Sequence, residues 1–181
     1  VIRLHPMVSM GSIIGALFFF LQKSPCFPNM DNVSVGTVLI IMLYGCTLLP
    51  LPLKWDIRGW TEMHPLNGPA WSLYYEYIGN ILYALFVRKF NKVALSVLVV
   101  VAGCFTVYRC LTAPAGDIVG GWALNWEQQY VGMVRLMYPF FGGLLLSRLG
   151  WLIRLEKRAF WWCSLLIVVV LSIPRIGGED G

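Results

Sequence analysis

Six long apolar segments occupy most of this 181-residue sequence. They cover residues 6–21, 33–49, 69–87, 93–111, 130–149 and 159–173, the first and the last being the shortest. A helix needs about 20 mostly apolar residues to cross a hydrocarbon core of roughly 30 Å. Inside lipid the backbone must satisfy its own hydrogen bonds, and no segment shows the alternation of a barrel strand. We therefore predict an all-α fold, a polytopic transmembrane helix bundle of about six helices.

The composition supports a lipid environment. Hydrophobic residues make up 58% of the chain and charged residues 13%, whereas soluble domains carry about 45–50% and about 25%. The net charge of +5 comes from short basic clusters between apolar segments, a pattern that sets membrane orientation rather than one that binds nucleic acid. The expected partner is the lipid bilayer, and the expected class is an integral membrane protein.

The chain shows no internal domain boundary. We interpret residues 1–181 as a single transmembrane domain, and we expect it to be the middle part of a longer one, because Val1 and Gly181 both flank apolar segments closely. The five cysteines have no CxxC spacing, and no cluster of residues has the spacing of metal ligands. Neither a disulfide framework nor a metal site is predicted.

Counting the segments assigns each loop to one side of the membrane. If all six cross, the N-terminus and loops 51–66 and 112–129 share one side, named face A. The connections near Lys23, Arg88 and Arg154 share the other side, named face B. Face B carries more basic residues, which favours a cytoplasmic location for face B.

A run of polar residues interrupts the third segment. The run reads Asn67-Gly68-Pro69-Ala70-Trp71-Ser72-Leu73-Tyr74-Tyr75-Glu76, with Asn80 and Tyr83 following. Ser72, Glu76, Asn80 and Tyr83 have the spacing of one helix face. A carboxylate inside a membrane costs on the order of 2.5–3.5 kcal/mol. We expect this polar stripe to face the bundle interior or a wet cavity, with Pro69 in the first turn and Asn67 as the cap.

Arg135 is a second charge inside an apolar segment, and Arg3 lies at the start of the first. Both are predicted near face A, as is Glu76. Two interpretations stay open: an Arg135–Glu76 ion pair that only fastens helices, or a functional cavity. His5 and His64 also lie near face A, and either is a candidate base.

Two further groups of residues have structural interpretations. The aromatic residues around Trp71 are assigned to packing and to the membrane interface; they include Tyr74, Tyr75 and Tyr77. The pair Gly142-Gly143 is interpreted as a place of close helix contact.

The polar run resembles the Trp-Ser-Leu-x-x-Glu helix of the acyltransferase 3 family. Arg3-Leu4-His5-Pro6 is similar to the end of an Arg-rich element in that family, and the segment from Arg135 to Gly142 is similar to a later helix with Arg, aromatic residues and Gly. The three matches occur in family order and touch most of the chain. Members are multi-spanning membrane enzymes that transfer acyl groups, often acetyl, to carbohydrates and other acceptors.

The resemblance implies an O-acyltransferase that uses acyl-CoA as donor and a cell-surface glycan or similar hydroxyl as acceptor, with no bound cofactor. Glu76 and Arg135 are then expected to be catalytic. The residues expected to bind substrate are Arg3, Asn67, Trp71, Ser72, Asn80 and Tyr83. The histidine regarded as the family's base lies in a first helix that would precede Val1, and neither His5 nor His64 matches it. This chain alone is therefore expected to be inactive.

The resemblance also affects location and orientation. It implies an integral protein of a bacterial cytoplasmic membrane. A cytosolic acyl-CoA donor favours a cytoplasmic face A, against the charge count, and both orientations stay open. The alternative functions are a transporter or a lipid-linked glycan flippase that uses the Glu76 and Arg135 charges, and a purely structural subunit.

Overall fold

The computed structural model describes residues 5–21, 29–114, 116–150 and 159–172. They form six α-helices: α1 His5–Phe18, α2 Val35–Gly45, α3 Ala70–Leu85, α4 Lys92–Thr112, α5 Trp126–Leu149 and α6 Ala159–Ser172. Short 3-10 turns lie at Phe19–Leu21, Met30–Asn32, Leu53–Trp55 and Val87–Lys89. The β-structure of the described residues is a single isolated bridge between Glu62 and Ala123. The prediction of an all-α bundle is confirmed.

Within the described ranges, two helices are long and apolar enough to cross a membrane, α4 and α5. At 1.5 Å per residue, the 21 residues of α4 extend roughly 30 Å, the thickness of a hydrocarbon core. Three other helices, α1, α2 and α6, are apolar but shorter. Their outward surfaces are rich in exposed large apolar side chains, among them Leu17, Leu43 and Leu171. Such surfaces suit contact with lipid rather than with water.

Helix ends explain where the predicted limits were wrong. The second helix stops at Gly45 instead of residue 49, because Thr47 Oγ1 donates 2.6 Å to the Tyr44 carbonyl and Pro50 soon follows. The fifth begins at Trp126 instead of residue 130, because the Asn125 side chain accepts a hydrogen bond of 2.8 Å from the Gln128 backbone N–H. Such caps satisfy end groups that a count of apolar residues does not register.

α5 is the helix against which α3 and α4 pack. Helix α1 packs against α2. Phe141 of α5 is fully buried with Leu95 and Val87, and Leu136 is buried with Tyr75 of α3. The core therefore lies between α3, α4 and α5, with a second cluster between α1, α2 and the loop after α2.

Close contact between α3 and α5 depends on Gly132 and Gly79, not on Gly142-Gly143. A Cβ added at Gly132 would collide with the Tyr75 ring, and one at Gly79 would lie 3.1 Å from Leu136 Cδ1. At Gly143 nothing lies within 4 Å, and at Gly142 the nearest atom is 4.0 Å away. The interpretation of Gly142-Gly143 as a tight contact does not hold among the described helices, because a Cβ added at either position would meet no atom closer than 4.0 Å.

Loops that were predicted to share face A do meet. The Met63 N–H donates 2.8 Å to the Trp122 carbonyl, and Arg109 lies 3.8 Å from the Glu127 carboxylate. At the opposite end, the Arg148 guanidinium donates to the carbonyl groups of Phe90, Val87 and Arg88. These two sets of loops therefore lie at opposite ends of the helix bundle, as the division into face A and face B requires.

Candidate functional site

Arg135 and Trp71 are the centre of the candidate site. The Arg135 guanidinium carbon lies 4.7 Å from the centre of the Trp71 ring, within cation–π range. The Nη1 atom of Arg135 donates a hydrogen bond of 2.9 Å to the Gly120 carbonyl. Gly120 and Gly121 have φ of 142° and 107°, which L side chains rarely adopt, and a Cβ at Gly121 would lie 3.0 Å from the Trp71 ring. Glycines at these positions let the loop reach both side chains.

A cavity of about 390 Å³ opens beside this pair. Its walls come from α3 and α5 and include Trp71, Ser72, Tyr75, Gly132, Arg135 and Pro139. This volume lies within the range of about 300–1,000 Å³ that is common for small-molecule sites. A mostly apolar lining with one guanidinium suits a ligand that has an apolar body and an anionic or carbonyl group. We call this space the Arg135 cavity.

Of the two interpretations left open for Arg135 and Glu76, the ion pair does not form among the described residues. Within the described residues, the two salt bridges are Arg58–Glu62 at 3.3 Å and Arg109–Glu127 at 3.8 Å. Arg135 instead contacts an indole ring and a carbonyl. Among the described residues both partners of the guanidinium are uncharged and only one of its N–H donors is used, so most of the five are available to a ligand.

The polar stripe of α3 lies outside the packed core of the described helices. Ser72, Glu76, Asn80 and Tyr83 are all exposed. Of the two predicted orientations, the one toward the bundle interior does not hold among the described helices, whereas Ser72 does border a cavity. Trp71, Tyr75 and Gly79 lie one position earlier and face α5. One residue corresponds to a rotation of about 100° on a helix. The large side chains thus turn inward and the polar set turns outward.

Local hydrogen bonds occupy two members of the stripe. Ser72 Oγ donates 2.8 Å to the Pro69 carbonyl, and Asn80 Nδ2 donates 2.9 Å to the Glu76 carbonyl. The Glu76 carboxylate makes no such bond in the described part of the chain. Ser72 lines the Arg135 cavity, and Glu76 follows one helical turn deeper. Of the stripe, Glu76 and Tyr83 are the members left for a ligand or for another polypeptide.

Asn67 has a structural contact instead of the predicted cap. Its Nδ2 donates 3.3 Å to the Val8 carbonyl of α1. The residue at the N-cap of α3 is Pro69, and no side chain caps this helix. A Cβ on Gly11 would collide with the Asn67 side chain. Asn67 therefore fastens α1 to the start of α3. Arg3, the remaining predicted site residue, lies outside the described residues.

Tyr75 is a polar group that the sequence interpretation assigned only to packing. Its side chain is 2% exposed, and its hydroxyl has no hydrogen-bond partner among the described residues. A buried hydroxyl without a partner is costly and calls for an explanation. Tyr75 lines the Arg135 cavity, so the residue that carries this unpaired hydroxyl belongs to the candidate site. No local sequence signal distinguishes it from neighbouring tyrosines.

A second cavity of about 230 Å³ also borders Trp71. It is lined by Trp60, Glu62, His64, Gly68, Trp71 and Trp122. His64, one of the two histidines near face A, is 5% exposed, whereas His5 is exposed. Burial lowers the pKa of His64 to about 4, so its imidazole is neutral at pH 7. Burial raises the pKa of Glu62, and nearby Arg58 opposes that rise.

Comparison with protein families gives one match. The acyltransferase domain of the acyltransferase 3 family matches residues 2–179. Comparison with curated proteins and with solved structures found no match. The family match covers nearly the whole chain and agrees with the resemblance of the Trp71–Glu76 motif and the Arg135 helix. The chain belongs to the acyltransferase 3 family of membrane acyltransferases.

Proposed function

We propose that this protein is an O-acyltransferase of the cytoplasmic membrane of a bacterium, which moves an acyl group, in the first instance acetyl, from acyl-CoA to a hydroxyl of a cell-surface carbohydrate. The observation that carries the proposal is the Arg135 cavity. A guanidinium with uncharged protein partners lies there beside an apolar space of about 390 Å³.

The transfer needs few groups. The acceptor oxygen attacks the thioester carbonyl carbon, the new C–O bond forms, and the C–S bond breaks. The hydroxyl proton passes to a general base, and the thiolate of CoA leaves. After the attack and before the C–S bond breaks, negative charge develops on the carbonyl oxygen. Donors held in place before the reaction, in a site with little water, stabilise such charge best.

Arg135 has two possible roles in this scheme, and both use its free N–H groups. A guanidinium pairs well with donor phosphates, and it also polarises a carbonyl. The fixed contacts with Gly120 and Trp71 hold it ready for either role. Tyr75 adds a buried hydroxyl in the same cavity. We assign to Glu76 a contact with substrate, since its carboxylate is exposed at the side of the helix that carries Ser72.

The alternative is a transporter or a lipid-linked glycan flippase that uses Glu76 and Arg135 as substrate or proton sites. No ion pair joins the two residues in the described portion, so they would act as separate sites. The family match favours transfer over transport.

The test is a transfer assay on the full-length protein in lipid nanodiscs. Acetyl-CoA labelled in the acetyl group is supplied with neutral methyl glycosides, and both free thiol and labelled sugar are measured. We expect acceptor-dependent thiol release in the wild type and its loss in Arg135→Gln. If the wild type neither binds acetyl-CoA nor transfers from longer acyl-CoA donors, the proposed function is wrong.

A further inference from the structure

The cavity of about 230 Å³ has walls from two separate loops. Trp60, Glu62 and His64 come from the loop before α3, and Trp122 comes from the loop before α5. Trp71, at the start of α3, lines this cavity and the Arg135 cavity. The two spaces are therefore neighbours that share one indole side chain.

Backbone hydrogen bonds fix the two loops against each other. The Met63 N–H donates a hydrogen bond of 2.8 Å to the Trp122 carbonyl, and the Met63 carbonyl accepts one of 2.9 Å from the Leu51 N–H. Gln129 Nε2 donates 3.1 Å to the Ala123 carbonyl. Met63 is 1% exposed. The cavity walls are thus formed before any ligand arrives, which reduces the ordering cost of binding.

The lining combines flat apolar surfaces with a few polar groups. Three indoles surround the cavity, and the Glu62 carboxylate is paired with Arg58 at 3.3 Å. Because Arg58 balances the charge of Glu62, the cavity carries little net charge for an ionic ligand to meet. An indole face packs well against the apolar C–H face of a sugar ring, while a carboxylate oxygen accepts hydrogen bonds from hydroxyls.

His64 adds a buried polar group that lacks a hydrogen-bond partner among the described residues. His64 is only 5% exposed, and its Nε2 atom has no hydrogen-bond partner within the described residues. With a pKa of about 4 caused by burial, the neutral ring does not attract a phosphate at pH 7. It can donate a hydrogen bond to a hydroxyl group or accept one from it. It is also too weak a base to match the usual pKa of a general base near the working pH.

We propose that this second cavity is the acceptor subsite and that it binds one uncharged sugar ring. The ring packs on the tryptophans, and its hydroxyls bond to Glu62 and His64. The volume of about 230 Å³ is below the common range of about 300–1,000 Å³ for larger ligands, which suits a single ring. The inference rests on the proposed acyltransferase function, because it divides donor and acceptor between two cavities that share Trp71.

Binding is tested separately from catalysis. Saturation-transfer NMR on the full-length protein in nanodiscs reports contact with the ring protons of methyl β-D-glucopyranoside and of methyl N-acetyl-β-D-glucosaminide. We expect a signal from at least one of them in the wild type. Trp122→Ala should weaken that binding about three- to tenfold, the effect of one lost aromatic contact. Trp126→Ala is the matched control, since Trp126 is 92% exposed and does not line the cavity.

A second variant guards against a folding defect in Trp122→Ala. Glu62→Gln keeps the size of the side chain and can still accept from Arg58, and it should weaken sugar binding while acetyl-CoA binding stays unchanged. Absence of a sugar signal in the wild type overturns the inference, and so does equal sugar binding in Trp122→Ala and Trp126→Ala. A loss of acetyl-CoA binding in Trp122→Ala also overturns it, because the cavity would then hold the donor.

The two proposals fail in different ways. If the sugar binds in this cavity but acetyl-CoA does not bind at all, the acceptor subsite stands and the acyl-CoA donor is wrong. If acetyl-CoA binds and no sugar does, the donor assignment stands and the subsite is wrong.

Discussion

The Arg135 guanidinium lies 4.7 Å from the centre of the Trp71 ring and donates its hydrogen bond to the Gly120 carbonyl rather than to the Glu76 carboxylate. This choice of partners agrees with the functional cavity, one of the two interpretations of Arg135 and Glu76 that the sequence left open, and not with an ion pair between them. It leaves a cation in an apolar cavity and a carboxylate on an outward helix face. Both then need partners from outside these helices, as expected of a binding site.

Arg135→Lys should lower acyl transfer even though the positive charge is kept. A lysine has no planar fork, so it cannot contact Trp71, bond to Gly120 and bind a ligand in the same way. A hydrogen bond to a charged group is worth about 1.5–3 kcal/mol, which corresponds to a loss of about 10- to 100-fold. The measurement is the KM for acetyl-CoA together with kcat.

Arg88→Lys is the control for Arg135→Lys, because Arg88 is exposed at face B. We expect no change in that variant. Equal activity in Arg135→Lys and the wild type would show that the fork of Arg135 does not bind the donor.

Gly132→Ala should destabilise the protein and distort the Arg135 cavity. The new methyl group would collide with the Tyr75 ring, and overpacking of a filled core costs about 1–3 kcal/mol. The matched variant is Gly143→Ala in the same helix, where nothing lies within 4 Å. That change should be neutral or stabilising by up to about 1 kcal/mol, since alanine favours helix more than glycine does. Thermal unfolding in detergent compares the two, and equal effects would contradict the packing described here.

Much of the fold followed from patterns that are local in sequence. Apolar segments predicted the six helices, and counting them correctly placed loops 51–66 and 112–129 at one end. Both inferences rest on the need of lipid-facing backbone to be helical. The helix ends at Gly45 and Trp126 were misplaced, because side-chain caps and prolines set them.

The candidate site was predicted only in part. Trp71, Ser72 and Arg135 do line one cavity. The partner of Arg135 was not predictable, because it depends on how α3 is rotated against α5, and the close contact of Tyr75 with Gly132 fixes that rotation. The second cavity could not be predicted from the sequence either. Its walls come from two loops that are brought together by the backbone hydrogen bond between Met63 and Trp122.

Glu76→Gln should reduce transfer without reducing stability. The carboxylate is exposed and forms no salt bridge in the described residues, so its removal should change the free energy of unfolding by no more than about 0.5 kcal/mol. If Glu76 contacts the substrate in the transition state, kcat should fall about 10²-fold or more. The assay is acetyl transfer, with thermal unfolding measured on the same preparation.

The control for Glu76→Gln is Glu127→Gln, at a carboxylate whose side chain is 78% exposed and lies 3.8 Å from Arg109. Transfer should stay unchanged, and loss of this exposed ion pair should lower the free energy of unfolding by no more than about 1 kcal/mol. Unchanged transfer and unchanged stability in Glu76→Gln would remove Glu76 from the site.

His64→Gln should reduce the loss of stability that acid causes. The pKa of His64 is about 4 in the fold because burial disfavours the charged ring, against an ordinary value of 6.5. The unfolded chain therefore binds a proton that the folded protein does not bind between these values. The folded state has its full advantage above pH 6.5 and loses it progressively as the pH falls toward 4, by about 3 kcal/mol at most.

Comparison of the wild type with His64→Gln isolates the contribution of His64 to the pH dependence of stability, because Glu62 is present in both proteins. The raised pKa of Glu62 acts in the opposite direction, since it lowers stability as the pH rises above the ordinary value of 4.5. The apparent Tm is measured from pH 7.5 to pH 4.5. The wild type should lose more stability than His64→Gln over this range, and parallel curves would mean that His64 is not held neutral by burial.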